Sequence, residues 1–551
     1  MAEAEEPGSK SKPVSDEPNR PADEINDGYG PPSVLRGAAK SAVLLTIAGL
    51  AGQVFTLARE LYVAAKVGVS GDLDALLVAA VAPVMFASLL ASGTSAAIVP
   101  GYLAAMRESG RIAADRLLGA TLTWTVLIGI ALSAIVVAGA GLVVAITGPG
   151  LDESARSVAI GYVPLLSPML VFSATGGLLA ASFQIHDRMR AIALAWIAGP
   201  VASVIVTVLL WDRLGLTAYA IAMTVQQAVI VFVLIGIAMR FHILAPITLR
   251  ADRAVSARFI RHATPLTISA SALQFNLLTD RAVATLITPG AVSALRYAEG
   301  VIRIPMNAIG PAWSAAIYPA LVRASLLGES RSLGQAAASA MRFVTAIFVP
   351  IAVAIGALAP LIVEVAYERG AFDERASVLT AASLVGFAPL MFLTMANSIL
   401  TGAHNARQRG VFLMSMGFLD AILNAAFNVG LGLTIGVAGI ALSTSLTMGV
   451  IQFIKAWRLG SLEEAFPLAE LLLVSARSLV ASLLVAVPIS LIAWNLPHGL
   501  VLQAALALLV GLATAGMVGY VALGRLIGLD EPWIVARTLL RSPLRFRPGA
   551  R

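Results

Sequence analysis

Apolar runs of roughly 18 to 30 residues recur along almost the whole chain, each bounded by a short stretch carrying arginine, aspartate or glutamate. A helix rises about 1.5 Å per residue, so about 20 apolar residues cross the ~30 Å hydrocarbon layer of a bilayer. The first seven runs predict transmembrane helices near 40–65, 74–105, 117–147, 157–183, 190–211, 215–239 and 264–288. The rest predict helices near 293–322, 336–366, 376–402, 410–434, 437–457, 474–495 and 499–526. The expected fold is an all-α polytopic membrane protein with about 14 transmembrane helices.

Composition agrees. Hydrophobic residues make up 58% of 551 and charged residues 13%, with a mean hydropathy of +0.86, too little polar surface to cover a water-soluble globule. Aromatics at 6% and 47 glycines suit close helix packing by small residues better than the aromatic girdles of a β-barrel. With no cysteine, disulfide frameworks and thiolate chemistry are excluded. His186, His242, His262, His404 and His498 show no ligand spacing, so no metal or other cofactor is expected. Nor does any His/Asp/Glu cluster or Gly-rich phosphate loop point to an enzyme.

The net charge of +7 does not imply nucleic acid, because the bases are spread over short connections. One set of alternate connections holds Arg107, Arg111, Arg116, Arg188, Arg190, Arg240, Arg250, Arg253, Arg258, Arg261, Arg323, Arg331, Arg407, Arg409, Lys455 and Arg458. The other holds Lys66, Arg156, Arg213, Arg369 and Arg375 interleaved with acids such as Asp72, Asp152, Asp212 and Asp373. The positive-inside rule then puts both termini in the cytoplasm. Residues 1–35 carry eight acids against three bases and read as a disordered cytoplasmic tail, not a cleavable signal peptide. Residues 531–551 form a basic cytoplasmic tail.

A repeat runs through the chain. Ser95-Ala96-Ala97-Ile98-Val99-Pro100 recurs as Ser314-Ala315-Ala316-Ile317-Tyr318-Pro319, an offset of 219 residues. Leu179 with the loop His186-Asp187-Arg188 recurs as Leu400 with Arg407-Gln408-Arg409, an offset of 221. The expected units are an N-lobe at 36–240, a linker at 241–262, a C-lobe at 263–458 and a further helix pair within 459–530. Six helices per half make the repeats parallel, with a substrate path between them.

Ionisable residues inside apolar runs each need a partner or a watery cavity. Arg296, Glu299 and Arg303 share one helix face at spacings of three and four and are candidates to line that path. Arg59, Arg281 and Arg303 are candidates to grip an anionic head group, since guanidinium pairs bidentately with phosphate. The competing reading makes Arg59–Glu60 and Asp280–Arg281 local neutral pairs that only fix packing, and lets Arg281 and Arg342 snorkel to the interface. Asp420, Asn424 and Asn428 share a face as either an ion-coupling site or an interhelical hydrogen-bonded seam. Pro83 and Pro305 are candidate gating kinks, with Gly93 and Gly310 loosening the same helices.

The stretch Ala58-Arg59-Glu60, Leu73-Asp74-Ala75-Leu76-Leu77-Val78-Ala79, Pro83 and Val99-Pro100 resembles the first two helices of MurJ (MviN) flippases, members of the multidrug and oligosaccharidyl-lipid exporter superfamily. Asp280-Arg281-Ala282, Ser293-Ala294-Leu295-Arg296-Tyr297-Ala298-Glu299 and Glu368-Arg369-Gly370-Ala371-Phe372-Asp373 are similar to later parts of that family. The resemblance implies a two-lobe carrier in a bacterial inner membrane that translocates lipid II or a related polyprenyl-diphosphate-linked cell-wall precursor by alternating access. It further implies functional positions at Arg59 and Asp74 and a lipid-tail groove in the last two helices. Three arginine positions of that family hold Gln53, Ala87 and Gly300 here, which places Gln53 among the cavity candidates. Two other readings stand beside it: an ion-coupled exporter of the same superfamily, and a non-transporting scaffold for cell-wall synthesis proteins.

Overall fold

A computed structural model describes residues 32–241, 243, 245–250, 252–326, 330–496, 502–529, 531–534 and 537. The acidic stretch before residue 32 and the basic stretch after 537, with His242 and His498, lie outside the described residues.

The described chain is helical from end to end. The first half comprises α1 (Pro32–Val67), α2 (Gly71–Ala138), α3 (Ala140–Thr147), α4 (Glu153–Leu166), α5 (Pro168–Ile185), α6 (Met189–Leu214) and α7 (Leu216–Arg240). The second comprises α8 (Arg253–Thr285), α9 (Ala291–Leu326), α10 (Ser330–Ala357), α11 (Ala359–Tyr367), α12 (Glu374–Phe387), α13 (Leu390–Ala406), α14 (Gly410–Ile435) and α15 (Val437–Gly460). The last two are α16 (Leu468–Ala493) and α17 (Leu502–Leu526).

Local chemistry sets the boundaries. Ser70 caps α2, Asp152 caps α4 and Asp373 caps α12, each side chain accepting from the backbone N–H three residues on. Proline, which cannot donate to the helix ladder, marks three breaks: Pro168 opens α5, Pro360 lies in the first turn of α11 and Pro389 precedes α13.

Among the described residues eleven spans are long and apolar enough to cross a membrane, fewer than the fourteen expected. Two differences account for this. The helices expected at 74–105 and 117–147 run together as α2, whose 68 residues bend at Gly110 (φ 80°, ψ 174°). The other is that α8 and α9, the helices carrying Asp280, Arg281, Arg296, Glu299 and Arg303, are not among the eleven. Gly110 is the residue inside α2 whose backbone leaves helical geometry, while the helical backbone continues through Pro83 in α2 and through Pro305 in α9.

The halves repeat one another in backbone detail. Asp187 and Gln408, 221 residues apart, both adopt positive φ (52° and 54°). So do Gly215 and Gly436, again 221 apart, where φ of 53° and 82° turns α6 into α7 and α14 into α15. The capping aspartates Asp152 and Asp373 keep the same spacing.

Candidate functional site

The turn from α1 into α2 lies at one end of the molecule, and there the halves are fastened together. The Asp74 carboxylate in the first turn of α2 accepts hydrogen bonds from the backbone N–H of Gly290 (2.7 Å), Val292 (3.4 Å) and Ser293 (2.7 Å). These donors would otherwise be orphaned at the start of α9, so an acid of one half caps a helix of the other. Beside it the Ala371 N–H donates to the Ala65 carbonyl at 2.8 Å, and the Tyr297 hydroxyl to the Gly68 carbonyl at 3.4 Å. Gly68 and Gly370, both at φ +63°, leave no room for a Cβ: it would strike the Ala371 and Ala65 carbonyls respectively. Tyr297, Tyr367 and Phe372 seal the junction with ring centroids 5.0–5.5 Å apart.

Below this junction a cavity of about 280 Å³ opens between the halves, lined by Arg59, Arg281, Arg296, Gln226, Gln227 and Ala87 among others. Its cations are held. Arg59, 3% exposed, donates to Ser203 (2.5 Å), Gln226 (3.0 Å) and Glu60 (3.0 Å), and its guanidinium lies 5.0 Å from the Tyr219 ring centroid. Glu60 also accepts from Tyr219 at 3.0 Å and from Arg296 of the other half at 3.3 Å. Glu60 is therefore an ionic bridge between halves as well as the neighbour of Arg59. Arg281 donates to Glu299 and to the Val292 carbonyl, both at 3.1 Å. Three guanidinium groups thus face two carboxylates, leaving a positive surplus in a partly desolvated site, where charge acts strongly.

Other expected residues stand elsewhere. Arg303 is exposed, with no ion pair among the described residues, past the cavity on α9. On α1, Val54 is 64% exposed. Gln53 is half-buried and outside the cavity lining; Asp74, buried, also lies outside it, its carboxylate occupied by α9. A Cβ at Gly300 would lie 3.2 Å from the Tyr367 hydroxyl.

The expected Asp280–Arg281 pair is not formed: Arg281 turns to Glu299, and Asp280 accepts from Asn428 at 2.5 Å. Arg342 meets Glu470 of α16 at 2.5 Å. Asp420 accepts from Asn276 at 2.7 Å, and Asn424 from Thr279 at 3.1 Å and Asn428 at 2.9 Å, so this face packs as a polar seam between α8 and α14. Among the described residues no His/Cys/Asp/Glu group is able to hold a metal.

A second cavity, about 630 Å³ and almost wholly apolar, lies between α10, the α12–α13 pair and α16, lined by Val353, Phe392, Leu479, Leu483 and Trp494 among others. Helix α17 contributes nothing to its lining. Sequence reasoning missed Tyr219, Ser203 and Gln226, the residues that hold Arg59 and Glu60. Adjacent Gln226 and Gln227 inside an otherwise apolar α7 were the available signal.

Known proteins share this architecture. A family model described as lipid II flippase MurJ matches residues 63–510. The probable lipid II flippase MurJ of Rhizobium tropici is 26% identical over 455 residues, covering 78% of this chain and 84% of that protein. The lipid II flippase MurJ of Burkholderia cenocepacia is 25% identical, covering 74% of this chain and 83% of its own. A solved lipid II flippase MurJ in an inward closed conformation has the same fold, with a TM-score of 0.74 at 19% identity over 91% of this chain and 100% of that one. An inward-facing multidrug resistance MATE family transporter of the MOP superfamily matches less fully, with a TM-score of 0.65 at 14% identity over 77% and 99%. The exporter and scaffold readings give way to this match. Its family model runs over most of the sequence, and the chain belongs to the lipid II flippase MurJ family of membrane transporters.

Proposed function

We propose that this protein carries lipid II or a related polyprenyl-diphosphate-linked saccharide from the cytoplasmic to the outer leaflet by alternating access. The observation that carries the reading is the arginine-lined cavity between two repeated halves that are fastened together at one end. The basic connections assign the fastened end to the outside and both termini to the cytoplasm. The N-lobe is α1–α7 and the C-lobe α8–α15. Counting α2 as two passes about Gly110, and α8 and α9 as polar spans, gives fourteen crossings.

The diphosphate competes with Glu60 for Arg296 and Arg59, whose planar donors match its oxygens. Arg303, exposed on α9, meets the head group on its way in. The polyprenyl chain lies in the apolar cavity between α10, α13 and α16. Breaking the Glu60–Arg296 bridge loosens the outer junction, so binding favours opening on the other side. An inside-negative potential assists, since each negative charge moved outward through 100 mV gains about 2.3 kcal/mol.

Reconstitution in liposomes with a fluorescent lipid-linked saccharide tests this. The wild-type protein accelerates its appearance in the opposite leaflet, and Arg59→Gln and Arg296→Gln fall to the rate of protein-free vesicles. A wild-type protein that moves neither lipid II nor any simpler polyprenyl-diphosphate saccharide would sink the reading.

A further inference from the structure

The two walls of the arginine cavity differ in kind. Arg281 and Arg296 make the C-lobe wall cationic. The N-lobe wall presents Ser88 of α2, Ser173 of α5, and Gln226 and Gln227 of α7, while its cation, Arg59, is engaged with Ser203, Gln226 and Glu60. Gln226 accepts from Arg59 through Oε1, which fixes the amide and leaves its Nε2 hydrogens without a partner among the described residues. Gln227, Ser88 and Ser173 have no hydrogen-bond partner there at all, although each lines the cavity. The four side chains thus offer amide and hydroxyl groups, donors and acceptors both, on one wall of the cavity, which suits a ligand that hydrogen-bonds in both senses.

The chemistry of these groups narrows the ligand. A diphosphate only accepts, and guanidinium groups satisfy it; it has nothing to give to the Gln227 carbonyl oxygen. A sugar ring bearing hydroxyl and acetamido groups both donates and accepts, as amide and serine side chains do. The cavity volume of about 280 Å³ lies at the small end of ligand sites and suits the diphosphate with its first sugar rather than a complete head group. We infer that Gln226, Gln227, Ser88 and Ser173 form a subsite for the sugar attached directly to the diphosphate, with Gln227 the specificity-determining residue. The inference rests on the flippase reading above. Discrimination follows because only the sugar-bearing lipid engages these groups.

The test compares binding of two probes to the purified full chain: a bare polyprenyl diphosphate, and the same lipid carrying one N-acetylated hexose. The wild-type protein prefers the sugar-bearing probe. Gln227→Leu and Ser173→Ala each reduce that preference roughly three- to tenfold, the value of one or two hydrogen bonds, and leave affinity for the bare probe unchanged. Unchanged binding of the bare probe shows that each variant is folded. Arg296→Gln weakens both probes alike. The subsite is overturned if the Gln227→Leu, Ser173→Ala double variant keeps the full preference, or if it loses both probes equally. A wild-type protein that binds neither probe overturns the flippase reading together with the subsite.

Discussion

Asp74 is an acid of one half whose carboxylate caps a helix of the other. An acid in an apolar helix marks itself as costly and hence purposeful. Its purpose, however, is set by a helix start 216 residues away, where the backbone N–H groups of Gly290, Val292 and Ser293 converge on its two oxygens. Asparagine at this position keeps one acceptor oxygen but turns an N–H₂ toward N–H donors. Asp74→Asn is therefore expected to destabilise the closed junction by roughly 1.5–3 kcal/mol, the range for hydrogen bonds to a charged group, read as a lowered melting temperature in detergent. An unchanged melting temperature would show that the cap contributes nothing. Arg59 was the more legible residue, since its immediate neighbour Glu60 advertises the ion pair. What sequence hid was that Glu60 reaches across to Arg296, 236 residues on, because a three-residue helix spacing says nothing about which other helix it faces.

Helices were legible because lipid leaves an apolar run no other way to satisfy its backbone. Their breaks were partly so: proline announces the interruptions at Pro168, Pro360 and Pro389, whereas the break within α2 falls at one glycine, Gly110, where the backbone leaves helical geometry between two directly adjoining helices. Polar contacts between helices decide how these elements move. Along the α8–α14 seam Asn428 donates to Asp280 and accepts from Ser443, so a buried acid depends on it. Asn428→Leu strands that acid and is expected to cost about 3–5 kcal/mol, enough to lower expression of folded protein, as measured by size-exclusion recovery. Asp420, only partly buried and bonded in the seam to Asn276, is far less critical to folding. Asp420→Asn is expected to keep both stability and transport. Its loss of transport with stability intact would make Asp420 an ion-coupling residue. At the far edge of the C-lobe, the Arg342–Glu470 pair and the buried bond from Tyr520 to the Ala346 carbonyl tie α16 and α17 to α10. The apolar cavity beside α16 therefore travels with the C-lobe.

At the scale of the whole molecule, the repeat ties the two halves to one motion. Matching backbone turns 221 residues apart make the halves alike, and opening the sealed end has to separate Gly68 from Ala371 and Ala65 from Gly370, whose backbones are in close contact. The hydrogen bond from Ala371 to Ala65 at 2.8 Å brings those backbones within the ~4.4–6.8 Å Cα separation that a disulfide spans. The native sequence has no cysteine, so Ala65→Cys with Ala371→Cys introduces the only thiols in the chain. Oxidation is expected to lock the sealed end, leaving the cavity able to bind a polyprenyl diphosphate while transport in liposomes stops, and reductant restores it. Each single-cysteine variant stays active under the same oxidant, which separates locking from damage. Continued transport by fully crosslinked protein would mean that the junction of Asp74, Gly68 and Gly370 is a fixed brace, and that the substrate leaves by a route that never parts the two lobes there.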